Sequence, residues 1–160
     1  MTKTIFNDED KANAFLVDCR WPKGIKCAYC DSDSISKHRE KGRSDRYQCD
    51  ACNRSFSVLT GTFLHYIKNK AKWLLFIRLT NNKVNDRNFT YTLGLGVRTY
   101  ISKESFTVFE GVYSASKVSE ALSVSAQTVK KMEERIYLAK KRKDKLLASI
   151  IHELSYVNYS

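Results

Sequence analysis

The stretch that decides the fold runs from Cys27 to Cys52 and has the sequence CAYCDSDSISKHREKGRSDRYQCDAC, with a Cys-x-x-Cys motif at each end. The two-residue gap in each motif allows a tight turn that points both sulfurs at one ion, and the eighteen residues between the motifs suit a four-thiolate zinc site. Four thiolates fill the coordination shell and leave no position for water, so this zinc is expected to be structural. The predicted ligands of one Zn²⁺ are Cys27, Cys30, Cys49 and Cys52.

Two disulfides or a redox-active pair are the alternative for these four cysteines. Residues Met1–Asp10 are polar and acidic, so no signal peptide is expected, and no run of about 18 apolar residues would span a membrane. We therefore expect a cytoplasmic, nucleoid-associated protein in a reducing compartment, where paired cysteines more often bind metal. Asp31 and Asn53, which follow the two motifs, tolerate the left-handed backbone of such turns. The fifth cysteine, Cys19, is expected to be buried in a helix.

The residues between and after the two motifs predict a small three-stranded sheet. Ser34–His38 and Asp45–Gln48 alternate in a strand-like way on either side of the turn-prone Lys41–Ser44. Arg54–Leu59 has the composition of a third strand. Together with the metal, these strands predict a zinc ribbon over residues 27–62.

Helical periodicity flanks the ribbon on both sides. Asp8–Cys19 has apolar residues at helical spacing and acidic residues in its first turn, and Trp21-Pro22 should end this helix. The helix belongs to a lead-in over residues 1–26. After the ribbon, Lys68–Thr80 predicts an amphipathic helix whose apolar face holds Trp73, Phe76, Ile77 and Thr80.

Residues Lys83–Val112 carry the weakest structural signals. Alternating apolar residues, the turn formers Gly94 and Gly96, and many β-branched and aromatic residues favour a β-hairpin, inserted at 84–110. Helical periodicity resumes at Ser114 and continues nearly to the C-terminus.

Lys117–Met132 (KVSEALSVSAQTVKKM) has the pattern of a helix-turn-helix, although periodicity alone also fits a plain helical hairpin. Ser125 is expected to cap the second helix, and Ser123 occupies a turn position where glycine is common. Gln127 is the candidate for base contact, because its amide can pair with adenine. The residues expected to pack between the helices are Val118, Ala121, Leu122, Val124, Val129 and Met132. The residues expected to contact DNA here are Ser125, Gln127, Thr128, Lys130 and Lys131.

The formal net charge of +11, from 28 basic and 17 acidic residues, points towards polyanionic partners, with a solvated basic surface as the alternative. Most of the excess lies after the cysteines. A basic run directly follows the second helix, where it would extend a positive stripe along the backbone of double-stranded DNA. Its predicted DNA contacts are Lys140, Lys141, Arg142 and Lys143.

An apolar stripe ends the sequence and leaves two alternatives open. At helical spacing it can cover the protein's own core, or it can pair with a second copy and form a homodimer. Neither a membrane nor a small-molecule substrate is expected among the partners. The stripe consists of Leu146, Leu147, Ile150, Ile151 and Leu154.

Together these motifs resemble the N-terminal zinc ribbon and helix-turn-helix of bacterial zinc-ribbon insertion-sequence transposases, whose nuclease domain carries an acidic DDE triad. The resemblance covers residues 8–82 and, less closely, 113–140. Two departures are the insertion at 84–110 and a chain end near the point where the family's nuclease domain would begin. The resemblance therefore implies DNA recognition without cleavage. The matching segments are RWPKGIKC (20–27), YQCDAC (47–52), FSVLTGT (56–62), KWLL (72–75) and the helix-turn-helix at 114–136.

The expected fold class is α+β, with a small zinc ribbon built on a three-stranded sheet, followed by a helical helix-turn-helix domain that contains an inserted β-hairpin. The expected function is non-enzymatic, sequence-specific binding of double-stranded DNA, as a transposase-derived transcriptional regulator or a mobile-element or phage accessory factor. Alternatives are a DNA-binding fragment or subunit of an active transposase, and a zinc-ribbon protein-interaction module. The expected domains are residues 1–26, the ribbon at 27–62, the helix-turn-helix domain at 63–140 and a basic, amphipathic C-terminal helix at 141–160.

Overall fold

The computed structural model describes residues 5–37, 45–81 and 115–156 of the chain. The predicted turn at 41–44 and the predicted insertion with its β-hairpin at 84–110 lie outside the described residues. The chain divides into two units, the ribbon unit (residues 1–71) and the helical unit (residues 72–160). In chain order, the described elements are α1 (Glu9–Arg20), β1 (Ile35–Lys37), β2 (Arg46–Cys49), β3 (Ser55–Ser57), α2 (Lys70–Asn81), α3 (Ala115–Leu122), α4 (Ala126–Lys141) and α5 (Lys145–Tyr156).

Helix α1 confirms the helix predicted before the ribbon and extends it to Arg20. Asp8 caps its N-terminus, because Asp8 Oδ1 accepts hydrogen bonds from the N–H groups of Asp10 and Lys11 at 3.0 and 3.1 Å. These donors lack partners within the helix, so the cap stabilises its first turn. The burial of the fifth cysteine, also predicted, is found on the inner face, which holds Ala12, Leu16 and Cys19.

Strands β1, β2 and β3 form one antiparallel sheet in that order, as predicted, and the α+β class is confirmed. Ile35 of β1 lies opposite Cys49, and Tyr47 of β2 lies opposite Phe56 of β3. Because successive side chains of a strand point to opposite faces, Tyr47 and Cys49 share the buried face of β2. They form a small core with Phe56 and Cys27.

Helix α2 is buried over a wider face than its periodicity predicted. Trp73 is only half-buried, whereas Leu74 and Leu79, which lie outside the predicted face, are buried. A helix that contacts more than one neighbour buries a wider stripe than a surface helix does. The predicted face residues that are buried are Phe76, Ile77 and Thr80.

Helices α4 and α5 are separated by a sharp break. Lys143 adopts the left-handed conformation with φ 53°, and the N–H of Asp144 donates to the carbonyl of Ala139 at 3.0 Å, which closes the end of α4. Asp144 Oδ1 then accepts from the N–H of Leu147 at 3.0 Å and caps α5. The C-terminal helix predicted for residues 141–160 therefore begins at Lys145.

The apolar stripe of α5 covers the protein's own core. Four of its five residues are buried within the single chain, and Ile151 is half-buried. The homodimer stays a prediction. None of the described helices has the length and apolar character that crossing a bilayer requires. The four buried stripe residues are Leu146, Leu147, Ile150 and Leu154.

Candidate metal centre and nucleic-acid interface

The four predicted zinc ligands meet at one point, with all four sulfurs within 4.8 Å of one another. Cys27 Sγ lies 3.6 Å from Cys52 Sγ, and Cys30 Sγ lies 3.6 Å from Cys49 Sγ, so each close pair joins the two motifs. A disulfide requires sulfurs about 2.05 Å apart. Tetrahedral zinc with Zn–S bonds of about 2.3 Å spaces its sulfurs about 3.8 Å apart. The geometry therefore excludes disulfides in this structure and fits one structural Zn²⁺.

Each Cys-x-x-Cys motif forms the same closed turn. In the first turn, the N–H of Cys27 donates to the carbonyl of Ser32 at 2.9 Å, and the N–H of Asp31 donates back to the carbonyl of Cys27 at 3.1 Å. The second turn repeats both bonds, at 3.1 and 2.9 Å. Asp31 and Asn53 have φ angles of 58° and 56°. This confirms the prediction that these two residues occupy left-handed positions.

The thiols of the cluster shift one another's pKa values in opposite directions. Burial raises the pKa of Cys27, but the N–H groups of Tyr29 and Cys30 and the neighbouring thiols outweigh it and lower the pKa to about 7. The Ser32 N–H lowers the pKa of Cys30, whereas desolvation and three neighbouring thiols raise it to about 12. A bound divalent cation overcomes the repulsion between thiolates and keeps coordinating thiols deprotonated. The donor set therefore suits zinc chemically as well as geometrically.

The residues that lead from α1 into the ribbon join the helix to the sheet. The Trp21 ring meets the rings of Tyr47 and Phe56 edge-on, with centroids 6.1 and 6.0 Å apart. The Arg20 guanidinium lies 4.6 Å from the Trp21 ring centroid, and Arg20 Nη1 donates to the carbonyl of Val58 at 2.6 Å. Both residues of this Arg-Trp pair thus position the metal centre without touching it.

Glu9 is a structural residue that the sequence reasoning missed. Its carboxylate accepts from the N–H groups of Lys70 and Ala71 at 3.0 and 2.9 Å, and so caps the N-terminus of α2. Lys70 Nζ also lies 3.2 Å from Asp45 Oδ2. The capping partners are 61 and 62 residues away, so no local pattern marks Glu9 as a cap.

The candidate nucleic-acid interface begins with a three-residue turn between α3 and α4. Ser123 has a φ of 50°, and the N–H of Val124 donates to the carbonyl of Ser119 at 3.0 Å, which closes α3 in a Schellman arrangement. Serine therefore occupies the position where glycine is common. Ser125 caps α4, because its Oγ accepts from the N–H of Thr128 at 3.2 Å, as predicted.

Four of the six side chains predicted to pack between α3 and α4 are buried. Val124 is half-buried, whereas Ala121 is exposed, and its predicted burial was wrong. Val118 and Leu122 define the side of α3 that is buried, and Ala121 lies beside that side, where it stays in solvent. The four buried residues are Val118, Leu122, Val129 and Met132.

Helix α2 braces the helices that follow it. It does so through side-chain contacts that the sequence did not predict. They join residues far apart in the chain, so periodicity did not reveal them. The contacts are Lys72 Nζ to the Ser123 carbonyl at 3.3 Å, the Arg135 guanidinium 5.7 Å from the Trp73 ring centroid, and the Arg78 guanidinium to the Leu154 carbonyl.

One exposed face of α4 holds three of the nine predicted DNA contacts. Gln127, Lys130 and Lys131 are exposed, and their spacing places them on one side of the helix. Glu134, which the sequence reasoning did not consider, continues this face and is also exposed. We call these four residues the α4 face. The opposite side of the helix is buried and consists of Val129, Met132, Ile136 and Ala139.

The remaining predicted contacts are also exposed but do not form one continuous stripe. Ser125 and Thr128 lie at the start of α4, with their hydroxyl oxygens 2.9 Å apart. Lys141, in the last turn, lies on the same side as the α4 face, whereas Lys140 lies about 100° from Lys141, towards the buried side of the helix. The other two residues of the basic run, Arg142 and Lys143, lie in the break between α4 and α5.

Comparisons with known proteins agree with the metal centre. A curated relative, an uncharacterized protein in the transposable element ISH50 of Halobacterium salinarum, is 33% identical over 82 residues. This match covers 48% of the chain and 28% of the relative's length. No solved structure matches the chain. A protein-family model described as a transposase zinc-ribbon domain matches residues 7–55, which hold all four cysteines of the metal centre, so this part of the chain is similar to such zinc ribbons.

Proposed function

We propose that the chain is a sequence-specific DNA-binding protein that combines a transposase-type zinc ribbon with a helix-turn-helix. Its role would be that of a transcriptional regulator or a mobile-element accessory factor. The zinc stabilises the ribbon, since four thiolates leave no coordination position for a reacting water. In this proposal α4 enters the major groove, and these 160 residues bind DNA without cutting it.

The observation that carries the proposal is the α4 face. An amide and two ammonium groups stand exposed on the N-terminal half of a sixteen-residue helix that follows a three-residue turn. Helices of helix-turn-helix proteins contact base edges with this half. In the proposed complex Gln127 pairs with an adenine edge, while Lys130 and Lys131 contact phosphates. The net charge of +11 favours the approach to a polyanion.

The test begins with selection of bound fragments from a library of random duplexes, followed by measurement of affinity as a function of salt. Replacing both Lys130 and Lys131 with Ala should weaken binding to all duplexes and reduce the slope of log affinity against log salt by about two. Gln127→Ala should weaken binding to the selected site by about 5- to 150-fold and should weaken binding to random sequence far less. Unchanged binding in all variants would show that α4 is not the helix that contacts the DNA bases.

Two further variants serve as controls. Glu134→Gln removes a negative charge from the same face, so it should strengthen binding to random duplex if the face lies against phosphates. Lys11→Ala removes an exposed cation from α1 and should change the salt slope little. A Lys11 effect equal to that of the α4 lysines would indicate attraction by net charge and not a defined interface.

A DNA-binding subunit or fragment of an active transposase is the second candidate. It is favoured by the relative from a transposable element, of which the match covers only 28%. In this case DNA cleavage would be supplied by a separate catalytic polypeptide or by further residues of a longer chain. Selected DNA sites that lie at transposon ends would favour this candidate, whereas sites in promoters would favour a regulator.

A further inference from the structure

The segment 58–69, between β3 and α2, is a loop held closed by its own hydrogen bonds. Thr62 Oγ1 donates to the carbonyl of Leu59 at 2.8 Å and accepts from the N–H of Leu64 at 3.1 Å. Leu64 is fully buried and anchors the loop. The backbone of the residues that follow therefore starts from a fixed position.

The loop carries two stacked aromatic rings. The rings of His65 and Tyr66 lie with centroids 3.9 Å apart and planes 15° apart. Tyr66 is 86% exposed, and its backbone is left-handed with a φ of 67°, a conformation that side-chain-bearing residues disfavour. An exposed ring on a strained backbone contributes little to folding, and strained residues of this kind often mark binding sites.

The sequence around the stack indicates which ligand it would bind. Residues 51–85 contain no Asp or Glu. Lys68, two positions after Tyr66, is exposed. A basic stretch attracts phosphates, and without carboxylates it does not also repel them. Within residues 58–71, the basic residues are Lys68 and Lys70, and Lys70 is paired with Asp45.

We propose that the His65–Tyr66 stack is a platform for an unpaired DNA base, with Lys68 beside the adjoining phosphate. Aromatic side chains next to cations bind single-stranded nucleic acid by stacking on bases, and they tolerate any sequence because every base has a π-face. The proposal rests on the proposed DNA-binding function and adds to it a second substrate class. The ribbon unit binds unpaired nucleotides, while α4 binds duplex.

The test measures fluorescence anisotropy with the zinc-loaded full chain, using a labelled oligothymidine of about 15 nucleotides and a fully paired duplex. Tyr66→Ala should weaken binding of the oligothymidine by about 5- to 150-fold, because one stacking contact is lost. It should change duplex binding by less than about twofold. Tyr66→Phe keeps the ring and should bind both probes as the unmodified chain does.

Tyr156 is a matched control. It is 70% exposed and also contacts a histidine ring, that of His152, but at an interplanar angle of 66° and on α5. Tyr156→Ala should leave oligothymidine binding unchanged. An equal loss in Tyr66→Ala and Tyr156→Ala, or no loss in either, would overturn the platform.

Tyr66→Gly separates binding from folding. Glycine accepts the left-handed backbone, so this variant should unfold at a higher temperature while it loses oligothymidine affinity. A variant that keeps its zinc and its oligothymidine affinity would overturn the proposal. Failure of the platform proposal is distinguishable from failure of the proposed DNA-binding function. If only the platform is wrong, duplex binding that depends on Lys130 and Lys131 remains.

Discussion

The metal-binding turns and the turn between α3 and α4 use the same left-handed backbone and are closed by backbone hydrogen bonds, but only the metal-binding turns also carry metal ligands. Asp31 and Asn53 have φ angles of 58° and 56°, and Ser123 has a φ of 50°. In the ribbon, the four sulfurs that converge on one metal position add to the hydrogen bonds that close each turn. In the helical unit, backbone hydrogen bonds and buried apolar side chains fix the turn. The ribbon thus depends on a few strong bonds and the helices on many weak ones.

This difference predicts two kinds of response to mutation. Loss of one metal ligand should abolish the ribbon as a whole, because metal binding and folding of such sites are one equilibrium. Loss of one packing or capping group should lower the stability of the helices by a graded amount. The predictions below run from the largest expected effect to the smallest.

Cys49→Ser should release the zinc and unfold the ribbon, since structural zinc contributes about 10 kcal/mol or more to such domains. Zinc content and the dispersion of backbone amide signals measure the outcome, and the signals of residues 115–156 should remain dispersed. Cys19→Ala is the control, because this buried cysteine lies outside the cluster and should leave zinc stoichiometric. A Cys49→Ser protein with bound zinc and an intact ribbon would contradict the four-ligand site.

Ile136→Ala should lower the free energy of unfolding of the helical unit by about 2–4 kcal/mol, because the side chain is fully buried and leaves a cavity. Urea unfolding followed by circular dichroism measures it. Leu138→Ala, on the same helix but 41% exposed, is the matched control and should cost well under half as much. Equal losses would show that the buried stripe of α4 is assigned wrongly.

Glu9→Gln should lower the free energy of unfolding by about 1 kcal/mol, since α2 loses a charged cap at its N-terminus. Thermal unfolding measures the loss. Asp10→Asn removes a neighbouring carboxylate from the first turn of α1 and serves as the control for that helix's own dipole. If both substitutions cost the same, Glu9 acts only within α1 and not as a cap for α2.

Ser123→Gly should raise the free energy of unfolding by about 0.5–1 kcal/mol, because glycine adopts the left-handed conformation without the penalty that serine carries. Ser119→Gly, within α3, should instead lower it by about 0.5–1 kcal/mol. The opposite signs make the pair informative. A loss of stability in Ser123→Gly would contradict the claim that serine is strained at this position.

The same contrast explains what the sequence revealed. The zinc ligands, the strands and the left-handed Asx residues follow from local spacing, and the structure confirms all of them. The breadth of the buried face of α2 and the cap from Glu9 depend on contacts between distant residues, which periodicity does not encode. The burial predicted for Ala121 was wrong for the same reason, since local spacing does not show which residues of α3 the neighbouring helix contacts.

Backbone amide signals of the zinc-loaded chain, recorded as duplex containing the selected site is added, test the central claim most directly. If α4 is the reader, the largest shifts at low ionic strength should fall on the turn at 123–125 and on the α4 face. They should fade as salt rises from about 50 to 200 mM, when released counterions no longer favour the complex. Absence of shifts at low salt, or shifts that leave the α4 face unchanged, would contradict the proposed interface.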